Sequence, residues 1–107
     1  MARIIIGTRR LRYEAQQKTG ERLSTRAAAE GITAKMREIS GDPSAEIGRA
    51  RLTNYELGKI FEVKTLELMG ICAYYSEILG RPIGTSDVLE YDPANNKRAL
   101  DLVSLAA

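Results

Sequence analysis

Histidine is missing from the sequence altogether, and cysteine occurs once, as Cys72. Without histidine there are no Ser–His or Cys–His nucleophile pairs, and the commonest metal ligand is gone. A lone cysteine excludes an intramolecular disulfide and any multi-cysteine zinc site. Within the apolar run Met69-Gly-Ile-Cys-Ala73 it reads as a small core residue. The carboxylates are scattered among basic residues, with no pair set apart for acid–base work. The expectation is therefore a protein that is not an enzyme and carries no cofactor or metal. Long apolar runs are also lacking: none approaches the roughly 18 residues of a membrane span. Ile4-Ile5-Ile6 is too short for the core of a signal peptide. A cytoplasmic protein with no membrane partner is expected. Aromatic residues are few, and the first 59 residues hold only Tyr13 and Tyr55, which weakens any RNA-binding reading because base stacking needs aromatics.

What is present is charge, and it is unevenly spread. The 107 residues carry a net +2, yet residues 1–59 hold 12 Lys and Arg against 7 Asp and Glu, a net of +5. Residues 60–107 hold 4 against 7, a net of −3. A basic half joined to an acidic half suggests one end that meets a polyanion and one that does not. The apolar share of 44% and charged share of 28% suit one soluble globular domain with a single core.

Five helices can be read along the chain. Ile4–Ile6 is a β-branched run, either an edge strand or an apolar lead-in to the first helix. Thr8 is an N-cap for a helix to about Lys18, with Leu11 and Ala15 on one face and Arg9, Arg10 and Arg12 opposite. Ser24 caps the second helix, where Ala28, Ile32, Met36 and Ile39 give the clearest helical period in the chain. Gly31 and Ala27-Ala28-Ala29 predict the close approach of a neighbouring backbone. Ser40-Gly41-Asp42-Pro43 is a break, and the third helix begins either at Pro43 or at Gly48. Thr65 caps the fourth helix, which turns Leu66, Met69, Cys72 or Ala73, and Ile78 or Leu79 inward. In that reading Tyr74 or Tyr75 faces the surface or a partner. Gly80-Arg-Pro82 stops it, Thr85 or Ser86 caps a short final turn, and Leu89–Tyr91 is a candidate strand partner for Ile4–Ile6. Residues 1–93 form the domain. Residues 94–107 form a tail in which Leu100 and Val103 share one side of a helix.

The stretch Arg49-Ala-Arg-Leu-Thr-Asn-Tyr-Glu-Leu-Gly-Lys59 is the functional candidate. Leu52, Tyr55 and Leu57 are expected to face the core, while Arg49, Arg51 and Asn54 stay outside. Arg pairs bidentately with the N7 and O6 of guanine, and Asn with the N6 and N7 of adenine. A helix showing these side chains is suited to the DNA major groove. The three arginines that open the first helix oppose its dipole, a cost that fits a terminus facing phosphates.

Four pieces of the chain, spanning roughly residues 6–91, resemble the phage repressor and Cro-like helix-turn-helix family, often called the XRE family. Ile6-Gly-Thr-Arg-Arg-Leu11 is similar to its first-helix opening. Leu23-Ser-Thr-Arg-Ala-Ala-Ala29 resembles its Leu-Thr-Gln-x-x-Leu-Ala. Leu52-Thr-Asn-Tyr-Glu-Leu-Gly-Lys59 resembles its Ile-Ser-x-x-Glu-x-Gly-Lys, and is the most specific of the four. Leu66 through Leu89 resembles the last two helices. The resemblance implies an all-α, five-helix repressor-like domain, here with an elongated second helix and a longer link to the third. It implies a homodimer that reads double-stranded DNA with the 49–57 helix in the major groove. Arg49, Ala50 and Asn54 match base-contacting positions, with Arg51 nearer the DNA backbone. Thr25, Arg26 and Lys59 match phosphate contacts, and Arg9 and Arg10 join them through the charge of the first helix. Glu56 matches an acid held in a structural ion pair. Dimer contacts are expected from the acidic half: Tyr74 or Tyr75, Tyr91, and Leu100 and Val103 of the tail. A transcriptional repressor is the expected function. The alternative is an antitoxin or adaptor on the same fold, binding a protein partner through its C-terminal half, with DNA binding secondary.

Overall fold

The computed structural model describes residues 4–6, 8–57, 59 and 63–91. The element order is β1 (Ile4–Ile6), α1 (Thr8–Thr19), α2 (Thr25–Ser40), α3 (Arg49–Glu56), α4 (Thr65–Leu79), α5 (Thr85–Val88) and β2 (Leu89–Tyr91). The fold is all-α, with five helices and one small antiparallel pairing among the described residues. In that pairing Ile4 lies opposite Tyr91, Ile5 opposite Glu90 and Ile6 opposite Leu89. Among the described residues, no helix is long and apolar enough to cross a membrane. The 94–107 tail, with Leu100 and Val103, lies outside the described residues.

The helix ends follow from local chemistry. Ser24 is the N-cap of α2, and its hydroxyl accepts from the Ala27 N–H at 3.1 Å. Gly41 closes α2 at φ 70°, a left-handed position where a side chain would be strained. Thr8 does not cap α1. It is the first helical residue, and its buried hydroxyl has no hydrogen-bond partner among the described residues. Thr65 likewise opens α4 one residue after the cap position, Lys64. At α5 the cap position is Gly84, whose N–H donates to the Asp87 carboxylate at 2.9 Å.

The core joins all five helices around Leu11, Ile32, Leu52, Tyr55, Ile71, Tyr75 and Val88, each fully buried. Its main seam is the crossing of α2 and α4. A methyl group on Gly70 would sit 2.6 Å from Met36 Cγ and 3.2 Å from the Ile32 carbonyl oxygen. One on Gly31 would sit 2.1 Å from Tyr74 Cε1. Small residues on both helices thus let them approach. At Gly31 the close neighbour is an aromatic ring, not the passing backbone that the sequence suggests.

Two inward assignments change. Met69 and Ile39 are exposed by 47% and 42%, and α4 buries Glu67, Gly70, Ile71, Tyr75 and Leu79 instead. The inward face of α4 therefore runs through Glu67, Ile71, Tyr75 and Leu79 at four-residue spacing, rather than through Leu66 and Met69. Tyr75 is buried and forms an edge-on pair with Tyr74, ring centroids 5.0 Å apart. It is core, so it is not a dimer contact. Its burial raises the phenol pKa.

Candidate nucleic-acid interface

The link between α2 and α3 decides how α3 is presented. Asp42 organises the turn at Pro43–Ser44 by accepting from the Ser44 N–H at 2.9 Å and the Ser44 hydroxyl at 2.7 Å. Those two bonds also lower the Asp42 pKa. Ile47 is then buried at 3% exposure. Thr33 of α2 grips its backbone from both sides. The Thr33 hydroxyl accepts from the Ile47 N–H at 3.0 Å and donates to the Ile47 carbonyl at 3.2 Å. Arg37 donates to the Ala45 carbonyl at 2.9 Å. Residues 43–47 form no helical turn, and α3 starts at Arg49 after the Gly48 cap. Neither Ile47 nor Thr33 stands out in the sequence, because a single apolar residue in a loop has no period to reveal it.

At about 100° per residue, α3 divides into two faces. Arg49, Ala50, Thr53 and Asn54 share one side, and Arg51, Leu52, Tyr55 and Glu56 share the other. Arg49 and Ala50 are exposed, Thr53 and Asn54 half-buried, and Leu52 and Tyr55 fully buried. Leu57 is exposed by 49%, so it does not extend the inward face.

Two ion pairs hold the inward side. Glu56 accepts from Arg12 of α1, Nε to Oε1 at 2.9 Å and Nη2 to Oε2 at 3.2 Å. Arg12 Nη1 donates to the Leu23 carbonyl at 3.0 Å. This ties α3 to α1 and to the approach to α2, so Glu56 holds α3 in place through a structural ion pair. The bonds to Glu56 raise the Arg12 pKa. Arg12 therefore does not stand on the free side of α1. On the α4 side, Arg51 Nε donates to Glu67 Oε2 at 2.6 Å, and Arg51 Nη2 to the Tyr55 hydroxyl at 2.8 Å. The Tyr55 hydroxyl donates to the other Glu67 oxygen. Burial, then the bond to Glu67, push Tyr55 up to about 12. Arg51 is thus turned inward and paired, where the sequence puts it outside beside Arg49 and Asn54.

The remaining phosphate candidates separate into two groups. Thr25 and Arg26 open α2, with Thr25 half-buried and Arg26 exposed in a loose 3.7 Å pair with Glu30. A cleft of about 420 Å³ runs along α2 past Arg26, Glu30, Thr33 and Arg37 to Arg49. Lys59 is exposed just beyond α3, its N–H bonded to the Asn54 carbonyl at 2.9 Å. Arg26, Arg49, Ala50, Asn54 and Lys59 therefore sit on or beside α3 and the start of α2. The arginines of α1 have other engagements. Arg9 lies 5.7 Å from the Tyr13 ring centroid and lowers the Tyr13 pKa. Arg10 donates to the Asp87 carbonyl of α5 at 2.6 Å and lies 3.8 Å from Glu14. That bond draws Arg10 to α5 rather than to α2 or α3.

Of the expected dimer contacts, Tyr74 is half-buried against Gly31. The Tyr91 side chain lies outside the description. An apolar groove of about 370 Å³ opens between the end of α2 and helices α4 and α5, lined by Ile39, Leu68, Met69, Cys72 and Ile83. Cys72 is half-buried there, and burial raises its thiol pKa. No protein-family model, curated protein or solved structure matches the chain.

Proposed function

We propose that the chain is a sequence-specific double-stranded DNA-binding regulator of the repressor and Cro-like type, acting in the cytoplasm as a homodimeric repressor. The observation that carries this reading is the two-faced α3. One side is clamped by Arg12–Glu56 and Arg51–Glu67, while the other presents Arg49, Ala50, Thr53 and Asn54. A helix held by its neighbours on one side and partly open on the other meets the requirement for groove reading, because its side chains keep a fixed register on the bases. Arg49 and Asn54 supply the base-edge chemistry for guanine and adenine. Arg26 and Lys59 supply phosphate contacts, and neither α2 nor α3 has an acidic residue in its first turn to repel them.

A protein-interaction module on the same fold is the second reading. It is favoured by the exposed Ile39 and Met69 beside the α4–α5 groove. The deciding experiment is selection of genomic fragments by the purified protein, followed by titration of the best fragment and of random DNA across salt. The DNA reading expects a two-fold-symmetric site preferred by about a thousandfold or more, with a steep salt slope. Weak binding that ignores sequence would transfer the assignment to the interaction module.

A further inference from the structure

Among the described residues, Glu67 is the one charged residue that is buried outright, at 3% exposure. It points from α4 to the inward side of α3. Its two oxygens accept from Arg51 and from Tyr55, and Arg51 also donates to the Tyr55 hydroxyl. The Arg51 guanidinium lies 5.0 Å from the Tyr55 ring centroid. The three side chains therefore close a circuit that occupies two of the three guanidinium nitrogens. Yet the Arg51 side chain keeps 31% of its surface in solvent, so it stands at the rim of α3 and not in the core. Burial of a carboxylate is not required for stability at such a place, since well-packed apolar side chains do as well as a buried ion pair. What the carboxylate contributes is a fixed negative charge against a cation on the helix proposed to meet DNA.

We infer that Glu67 is a positioning residue that withholds Arg51 from DNA phosphates and so sets the number of phosphates the protein neutralises. This rests on the DNA-binding reading given above. A phosphate would have to displace a carboxylate that is already in contact and already desolvated. Glu67 keeps Arg51 bonded inward, and the count of phosphate contacts stays one lower than the count of cations near α3. A released Arg51 would add about 0.9 to the salt slope and roughly five- to tenfold in affinity near 0.1 M salt. The gain would apply to every sequence alike. It would hold the protein longer on random DNA without improving discrimination.

The test is a salt titration of the full chain on a random duplex and on its best selected site, for the parent, Glu67→Gln, Arg51→Gln and the double variant. Melting curves check that each is folded, and glutamine at 67 can still accept from Tyr55. The expected result for Glu67→Gln is a slope steeper by about 0.9, with both DNAs bound about five- to tenfold more tightly. Arg51→Gln alone should leave the slope where it was, and the double variant should lose the gain. An unchanged slope in Glu67→Gln would overturn the inference, and so would a gain that survives in the double variant. A slope lowered by Arg51→Gln alone would show that Arg51 already touches phosphate. A gain confined to the selected site would assign it to bases. Either result also overturns the proposal. If the parent fails to bind DNA, the DNA reading itself falls and this inference with it; if the parent selects a site and only the Glu67 effect is missing, the inference falls alone.

Discussion

Removing Glu56 should cost the fold far more than removing any exposed acid. In Glu56→Ala, Arg12 loses both bonds at 2.9 and 3.2 Å and keeps only the Leu23 carbonyl. The side chains of the pair are 15% and 7% exposed, so water replaces the carboxylate poorly. Breaking a buried pair costs about 3–5 kcal/mol, and the slight access to Arg12 brings the expectation to about 2–4 kcal/mol. At about 4–8 °C per kcal/mol for a domain of this size, the melting temperature should fall by roughly 8–30 °C. Urea unfolding followed by circular dichroism reads the same loss as a lower midpoint with an unchanged slope. Glu30→Ala is the internal control. It removes a pair whose side chains are 78% and 73% exposed, and should change stability by about 0.5 kcal/mol or less. The double replacement Arg12→Met with Glu56→Leu should recover to within about 1 kcal/mol of the parent, because no charge is left stranded. A loss below about 1 kcal/mol in Glu56→Ala, or a double replacement as unstable as the single, would refute the account of α3 as clamped by buried charge.

Three further outcomes are expected. Tyr55 is held neutral up to about 12, above its ordinary 10.0, so the stability it lends is complete below pH 10 and lost as pH climbs from 10 toward 12. Tyrosinate absorbance and circular dichroism followed together should show its ionisation coinciding with unfolding; a Tyr55 that ionises near pH 10 in the folded chain would contradict this. Gly31→Ala should destabilise by about 1–2 kcal/mol, because overpacking against the Tyr74 ring outweighs the gain in helix propensity. In a Tyr74→Ala background the same change should stabilise by up to about 1 kcal/mol, a reversal of sign that thermal melts can check. On a selected DNA site, Arg49→Ala and Asn54→Ala should each cost about 1–3 kcal/mol and relax base preference, whereas Lys59→Ala should weaken all sequences about equally. Equal losses on selected and random DNA for the first two would remove α3 from the groove.

Helix positions were legible in the sequence wherever one face was apolar and the other polar. Ala28, Ile32 and Met36 fixed α2, and Ser24 and Gly41 marked its ends. The β1–β2 pairing was legible from the β-branched run Ile4–Ile6, with Leu89–Tyr91 as its candidate partner. In α4 the rotation was not, because Leu66, Leu68, Met69, Ile71, Cys72, Ile78 and Leu79 surround the helix with apolar groups. The one acid in its first turn, Glu67, would ordinarily mark the wet side. Its burial depends on Arg51 and Tyr55, partners 16 and 12 residues away that no local pattern links to it. The same reason hid the inward turn of Arg51 and Arg12. On α3, charged residues stand on both faces, so hydropathy alone gave no contrast between the clamped side and the more open one.

The small antiparallel clasp bears on how the chain reaches its native state. Ile5 and Glu90 are paired across 85 positions of sequence, whereas the helices form largely from near neighbours. Closing so long a loop before the helices have condensed has a large entropic cost, and three residue pairs return little against it. The clasp should therefore join after the folding barrier has been crossed. Mutations there should speed unfolding and leave the folding rate nearly untouched. Amide exchange should likewise detect the opening of β1 and β2 at a lower free energy than that of α2 or α4.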